Sequence, residues 1–160
     1  MYTTRVAGHV NAPRADVYAA LVDAEALAKW RVPDGMRGEV HAFDAREGGA
    51  FRISLTYDAP AASGKSEART DTYHGRFVRL VPGEEVVEEF EFETGEARFH
   101  GVMRMTTTLT DAGAGADGRG GTEVLVVHEG IPDGVPAADN ETGTRMALAN
   151  LAALVEADPG

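Results

Sequence analysis

Hydrophobic and polar residues alternate through most of the chain, which is the pattern of strands with one buried face. In the clearest run, Phe51, Ile53, Leu55 and Tyr57 share one phase, and polar residues fill the other. Similar alternation predicts seven strands, at residues 2–10, a segment ending near 43, 51–57, 71–81, 86–93, 99–110 and 122–128. Turn signals separate several of them, including the glycine pair at 48–49 and the Pro-Gly pair at 82–83.

Helical spacing occurs in two places. After the first strand, Asn11 is a candidate N-cap, Pro13 suits a first helical turn, and an apolar stripe follows. Asp23 can cap a second short helix over residues 24–30. Near the end of the chain, Asp139 or Asn140 can cap a longer helix. Its apolar stripe is formed by Ala147, Leu148, Leu151, Leu154 and Val155.

This order of elements predicts an α+β fold. The strands are not interleaved with crossover helices, so we expect a curved antiparallel sheet. One apolar face of that sheet would wrap around the long C-terminal helix, and two short helices would follow the first strand. The 160 residues show no break in composition, so we expect a single domain over residues 1–160.

The composition of the chain indicates its cellular compartment and argues against some classes of binding partner. The chain contains no cysteine and no apolar run of membrane-spanning length, which favours the cytoplasm. Its formal net charge of −11 repels phosphate backbones and anionic lipid surfaces, so we expect neither nucleic acid nor membrane as a partner. The sequence is compatible with a monomer or a homodimer.

Most catalytic signatures are missing. The histidines are scattered over different strands without metal-ligand spacing, so we predict no metal site. No serine lies in a nucleophile-elbow pattern. Residues 113–118 spell a GxGxxG motif, but a strand follows them where dinucleotide binding needs a helix. We therefore expect no cofactor.

Two polar residues share the phase of inward-facing apolar residues. Glu88 alternates with Phe90 and Phe92, whereas Glu89, Glu91 and Glu93 fall on the solvent face. Glu88 could enter the interior or be turned outward by a bulge. His128 follows two valines into the interior phase, where it could bond a carbonyl or contact a ligand. Either residue is a candidate general acid or base.

The residues that alternation turns inward could also line an apolar cavity. As ligand-binding candidates we take aromatic, aliphatic and methionine side chains together with His128. The set comprises Trp30, Phe51, Ile53, Leu55, Phe90, Phe92, Met103, Met105, His128 and Leu148. The same residues could equally fill a closed core.

Several segments, in order, resemble the START-like (helix-grip, SRPBCC) superfamily. More narrowly, the chain resembles the domain shared by polyketide-cyclase-like proteins and heat-shock-protein-90 ATPase activator homologues. The matching segments are 11–13 (NAP), 17–21 (VYAAL), 26–30 (ALAKW), 33–35 (PDG), 47–51 (EGGAF), 73–77 (YHGRF), 81–82 (VP), 121–124 (GTEV), 128–132 (HEGIP) and 143–148 (GTRMAL).

The resemblance implies a ligand cavity between the sheet and the C-terminal helix. Family members often carry an aromatic residue after the helix glycine. Here Thr144 follows Gly143, which implies a roomier or more polar wall. The resemblance leaves three functions open: binding of a small apolar or amphipathic molecule, a cyclase or hydratase reaction using His128 or Glu88, and a chaperone interaction through the acidic hairpin.

Overall fold

The computed structural model describes residues 1–32, 36–57, 70–114 and 120–157. The predicted loop at 58–69, the break at 33–35 and most of the GxGxxG segment lie outside these residues. The elements are β1 (Tyr2–Val10), α1 (Arg14–Leu21), α2 (Ala24–Trp30), β2 (Met36–Phe43), β3 (Ala50–Tyr57), β4 (Thr70–Val81), β5 (Glu85–Phe92), a 3-10 helix (Ala97–Phe99), β6 (Met103–Ala114), β7 (Gly120–Ile131) and α3 (Ala137–Ala157).

The seven strands form one antiparallel sheet in the order β1-β7-β6-β5-β4-β3-β2. Only the pairing of β1 with β7 joins strands that are distant in sequence. Each other neighbouring pair is consecutive along the chain, as the turn signals indicate. The predicted α+β class, the curved antiparallel sheet and the long C-terminal helix are confirmed.

The core lies between the inner face of the sheet and the helices. Leu148, Leu151 and Val155 of α3 join one buried cluster with residues from the sheet, α1 and α2. The spacing of these three residues is the helical stripe expected from the sequence. The buried aromatic side chains of β3, β4 and β5 pack together, with ring centroids of Phe51 and Phe77 5.2 Å apart.

Of the three predicted caps, Asp23 does occupy the N-cap position of α2, without a side-chain hydrogen bond, and the other two are wrong. The side chain of Asn11 contacts His9, and its backbone N–H donates to Glu156. Helix α1 begins immediately after Pro13 without a side-chain cap. Helix α3 begins at Ala137, earlier than the predicted cap residues, because the carbonyl of Pro136 already accepts a hydrogen bond from the N–H of Asn140. Asn140 is therefore inside the helix, and its side chain is free for tertiary contacts.

Several strand boundaries also differ, since the sixth strand extends to Ala114 and the seventh runs from Gly120 to Ile131. The sixth strand begins at Met103 and not near residue 99, because residues 97–99 form the 3-10 helix. The connection from β2 to β3 is longer than a two-residue hairpin, and it is held by hydrogen bonds that include Gly48 N–H to the carbonyl of Phe77. Within the described ranges, no helix is long and apolar enough to cross a membrane.

Candidate ligand-binding cavity

A cavity of about 560 Å³ lies between the inner face of the sheet and α3. This volume falls in the range of small-molecule sites. Its wall is mostly apolar with polar groups at intervals. It is formed by Leu21, Trp30, Arg31, Met36, Leu55, Asp71, Tyr73, Phe90, Phe92, Met105, Thr107, Val126, His128, Val135, Pro136, Asp139, Asn140, Thr142, Gly143, Thr144, Met146, Ala147, Leu148 and Leu151.

Seven of the ten candidate residues line this cavity. They are Trp30, Leu55, Phe90, Phe92, Met105, His128 and Leu148. Phe51, Ile53 and Met103 do not, which corrects their assignment to the wall. They are buried in the hydrophobic core, as their inward phase predicts, and they are not among the residues that line the cavity.

The α3 side of the wall has an open position at Gly143. A Cβ atom built there would meet no heavy atom within 4 Å among the described residues. Gly143 lies one turn before Ala147 and two turns before Leu151, on the helix face that borders the cavity. The hydroxyl of the following Thr144 donates to the carbonyl of Asn140. The open position of this wall is therefore at Gly143, and the roomier or more polar wall implied by Thr144 stays a prediction.

Glu88 faces inward without a bulge at its own position and is 1% exposed. Its carboxylate accepts two hydrogen bonds from Arg31, from Nη1 to Oε1 at 2.8 Å and from Nη2 to Oε2 at 3.1 Å. Such a two-pronged pair holds both side chains in one geometry. The pair supplies the opposite charge that burial of Glu88 requires.

Arg31 belongs to the cavity wall and is fixed on more than one side. Its guanidinium lies 4.9 Å from the ring centroid of Trp30, and the indole N–H of Trp30 donates to the carbonyl of Ala20 at 2.9 Å. Burial alone would lower the pKa of Arg31, but Glu88 and the Tyr73 hydroxyl raise it above its ordinary value. Arg31 is therefore a permanent cation.

His128 is 6% exposed and borders the cavity beside Phe90, whose ring centroid lies 5.4 Å away. Its Nδ1 lies 3.1 Å from Nδ2 of Asn140. The Asn140 Oδ1 accepts a hydrogen bond from the Thr4 hydroxyl at 2.6 Å. The 2.6 Å separation is typical of O–H···O and short for N–H···O, which supports this orientation of the amide. Nδ1 therefore accepts, and the proton of the neutral ring is on Nε2.

The Nε2 atom has no hydrogen-bond partner. Among the described residues it is the only buried side-chain nitrogen or oxygen that lacks one. Burial lowers the pKa of His128 to about 4, with a further contribution from the positive charge of Arg31. The ring is therefore neutral at pH 7. An unpartnered buried N–H is costly, and an acceptor in the cavity would offset that cost.

Sequence reasoning missed Arg31, Tyr73 and Asn140. A signal existed for Arg31, because a carboxylate in the interior phase requires a cation, and Arg31 directly follows the pocket tryptophan. Tyr73 shares the inward phase of β4 with Phe77. The sequence predicts Asn140 as a helix cap, and only the earlier start of α3 turns its side chain toward His128.

The outer face of the acidic hairpin carries ion pairs. Glu89 contacts both Arg76 and Arg104, and Glu93 contacts both Arg52 and His74. Hydrogen bonding from Arg52 lowers the pKa of Glu93 to about 2. The acidic residues expected on the solvent face do lie there, but cross-strand cations neutralise much of their charge.

A known protein family matches nearly the whole chain. Residues 11–156 match the model of a family described as activator of Hsp90 ATPase homolog 1-like protein. The chain belongs to this family. The described residues bring together no cluster of three or more His, Cys, Asp or Glu side chains that could hold a metal ion.

Solved structures agree with the family. The protein CV1439 from Chromobacterium violaceum is 34% identical, with a TM-score of 0.83 over 98% of this chain and 99% of that one. An AHSA1 protein from Silicibacter pomeroyi is 14% identical, with a TM-score of 0.75 over 97% of this chain and 98% of that one. DynU16, from the dynemicin biosynthetic locus, is 19% identical with a TM-score of 0.65, over 98% of this chain and 48% of that one. No curated protein matches.

Proposed function

We propose that this protein binds a small amphipathic molecule in the cavity between the sheet and α3. The observation that carries the proposal is the combination of an apolar wall with one buried, unpartnered donor at His128. A closed core would have no reason to retain such a donor, because leaving it unpaired costs about 1–3 kcal/mol. A ligand that satisfies it offsets this cost.

The contacts of the two candidate catalytic residues favour binding over acid–base chemistry. Both oxygens of Glu88 are engaged by Arg31, and the side chain does not reach the cavity wall. His128 holds its proton on Nε2 and turns the lone pair of Nδ1 toward Asn140, so it has no free lone pair to accept a proton from a ligand in this tautomer.

A chaperone-directed surface has less support. The hairpin acids that would form it are largely paired with arginines on neighbouring strands, which leaves little unbalanced charge for a partner. The family description names an activator of the Hsp90 ATPase, so purified Hsp90 ATPase activity with and without the protein is the direct comparison.

The binding function is tested with variants that place a side chain of α3 in the cavity. Gly143→Phe places a ring in the open position of the wall, and Gly143→Ala adds one methyl group that meets no neighbour. With Nile red as a neutral fluorescent probe, we expect saturable binding to the unchanged protein and to Gly143→Ala, and at least a tenfold loss with Gly143→Phe. Circular dichroism checks that both variants fold.

No saturable Nile red binding, or equal binding to Gly143→Phe, would contradict the proposal. A further screen by native mass spectrometry of the protein purified from its expression host would show whether an endogenous molecule occupies the cavity.

A further inference from the structure

The polar end of the cavity restricts the chemistry of the ligand beyond being amphipathic. Nε2 of His128 is a donor, since the contact from Asn140 occupies the lone pair on Nδ1. Arg31, which also lines the cavity, can only donate. Glu88 takes two of its N–H groups, of the five that a guanidinium carries.

Tyr73 adds a further donor. Its hydroxyl lies beside the Arg31 guanidinium, and because a guanidinium has no acceptor, the tyrosine proton is directed elsewhere. The hydroxyl proton of Tyr73 is then left to donate. Burial raises the pKa of Tyr73 above its ordinary value, so the hydroxyl keeps this proton at neutral pH. His128, Arg31 and Tyr73 thus offer donors to a ligand atom that accepts hydrogen bonds and brings no proton of its own.

The charges of the wall discriminate against an anion. Besides neutral His128, the described wall carries one cation, Arg31, and a carboxylate at Asp139. The charge of Arg31 is already matched by Glu88 behind it. A ligand carboxylate would therefore meet no unmatched positive charge among the described wall residues, and its desolvation would be unfavourable.

We propose that the ligand carries an uncharged carbonyl oxygen at its buried end, and that this oxygen accepts a hydrogen bond from Nε2 of His128. The apolar remainder lies against Phe90, Met105 and Leu148. A ketone, an ester or a quinone meets this requirement. A fatty acid does not, and a simple hydrocarbon leaves the donor unsatisfied. The inference rests on the proposed binding function and specifies its ligand class.

The test compares probes of matched length. Binding of 2-undecanone and decanoate is measured at pH 7 by displacement of Nile red. We expect the ketone to bind at least tenfold more tightly than the carboxylate. His128→Phe keeps a ring of similar shape without the N–H, and we expect it to weaken ketone binding about three- to tenfold, the worth of one hydrogen bond. His128→Gln restores a donor and should recover part of the loss.

A spectroscopic readout separates hydrogen bonding from packing. With ¹⁵N-labelled histidine, we expect the free protein to show a proton on Nε2 of His128 and none on Nδ1. Addition of 2-undecanone labelled with ¹³C at the carbonyl should move both the Nε2 proton and the carbonyl carbon downfield. A merely structural histidine would leave the carbonyl signal at its position in an apolar solvent.

The outcomes distinguish the two proposals. If Nile red, the ketone and the carboxylate all fail to bind, the binding function itself is wrong. If Nile red binds but decanoate competes as well as 2-undecanone, the carbonyl assignment is wrong and the function stands. Unchanged ketone affinity in His128→Phe, or a proton on Nδ1 in place of Nε2, also overturns the assignment.

Discussion

Glu88 and His128 occupy strand positions that alternation assigns to the interior. The two titratable side chains are accommodated there in different ways. Glu88 remains paired with the permanent cation Arg31. His128 gives up its charge, because burial lowers its pKa to about 4. The imidazole has only an amide as its hydrogen-bond partner, and the positive charge of Arg31 further disfavours its protonated form.

We expect Glu88→Gln to destabilise the fold far more than Glu89→Gln. Removing the Glu88 charge leaves Arg31 buried without its counter-ion, which typically costs about 3–5 kcal/mol. Glu89 pairs on the outer face with Arg76 and Arg104, where an ion pair contributes about 0–1 kcal/mol. Urea unfolding followed by circular dichroism measures both variants, and equal midpoints would contradict a buried pair.

His128 predicts a pH dependence of stability with a definite sign. Its folded pKa of about 4 lies below the ordinary value of 6.5, so the unfolded chain takes up the proton first as the pH falls. The contribution of neutral His128 to the unfolding free energy should be fully present above pH 6.5 and should decrease as the pH falls toward 4. The loss assigned to His128 amounts to roughly 3 kcal/mol.

The matched measurement uses His128→Gln, in which the other titrating groups are retained. The difference in unfolding free energy between the two proteins should change over pH 6.5 to 4 and stay constant above that interval. A difference independent of pH across this interval would show that His128 is not held neutral.

At the scale of elements, the close approach of β4 and β5 shapes the cavity wall. Gly75 pairs with Phe90, and a Cβ atom at Gly75 would lie 2.0 Å from the carbonyl oxygen of Glu89 and 2.6 Å from the Cβ of Phe90. Both distances are below any real contact, so the two strands would have to separate. Phe90 lines the cavity, so the site would change with them.

Gly75→Ala is therefore expected to lower the unfolding free energy by about 1–3 kcal/mol and to weaken Nile red binding. Gly95→Ala is the control, because a Cβ there meets nothing within 4 Å among the described residues. Urea unfolding and probe titration give the two readouts. Unaltered stability in Gly75→Ala would mean that β4 and β5 are further apart than described.

At the scale of the whole molecule, α2, the sheet and α3 enclose a space that none of them forms alone. Trp30 on α2 is 5% exposed and borders this space, together with Leu148 on α3 and Met105 on β6. It is the single tryptophan of the chain, so its emission reports on the cavity and on global unfolding at once.

We expect Trp30 emission to be blue-shifted in the folded protein and shielded from acrylamide. A brominated alkyl ketone bound in the cavity should quench it, with saturation at one molecule per chain. Gly143→Phe should lose the saturable part and keep the blue-shifted emission. Quenching that rises linearly with concentration in the unchanged protein would contradict binding beside Trp30.

Much of this architecture could be predicted from the sequence. Alternation in β3 and the helical stripe of α3 identify which residues turn inward, because burial on one face leaves a period of two in strands and about 3.6 in helices. Glycine and proline turns indicate which strands are consecutive neighbours. These signals are local, so each element could be inferred from its own residues.

The division between core and cavity was decided only in three dimensions. Phe51 and Phe90 have the same inward orientation and belong to the same buried cluster, yet only Phe90 lines the cavity. The contacts of Glu88 with Arg31 and of His128 with Asn140 join residues 57 and 12 positions apart in the chain. Periodicity indicates which side of its strand or helix a residue faces. The hydrogen-bond partners of a buried side chain, the tautomer of His128 and the volume of the cavity depend on where elements distant in sequence meet.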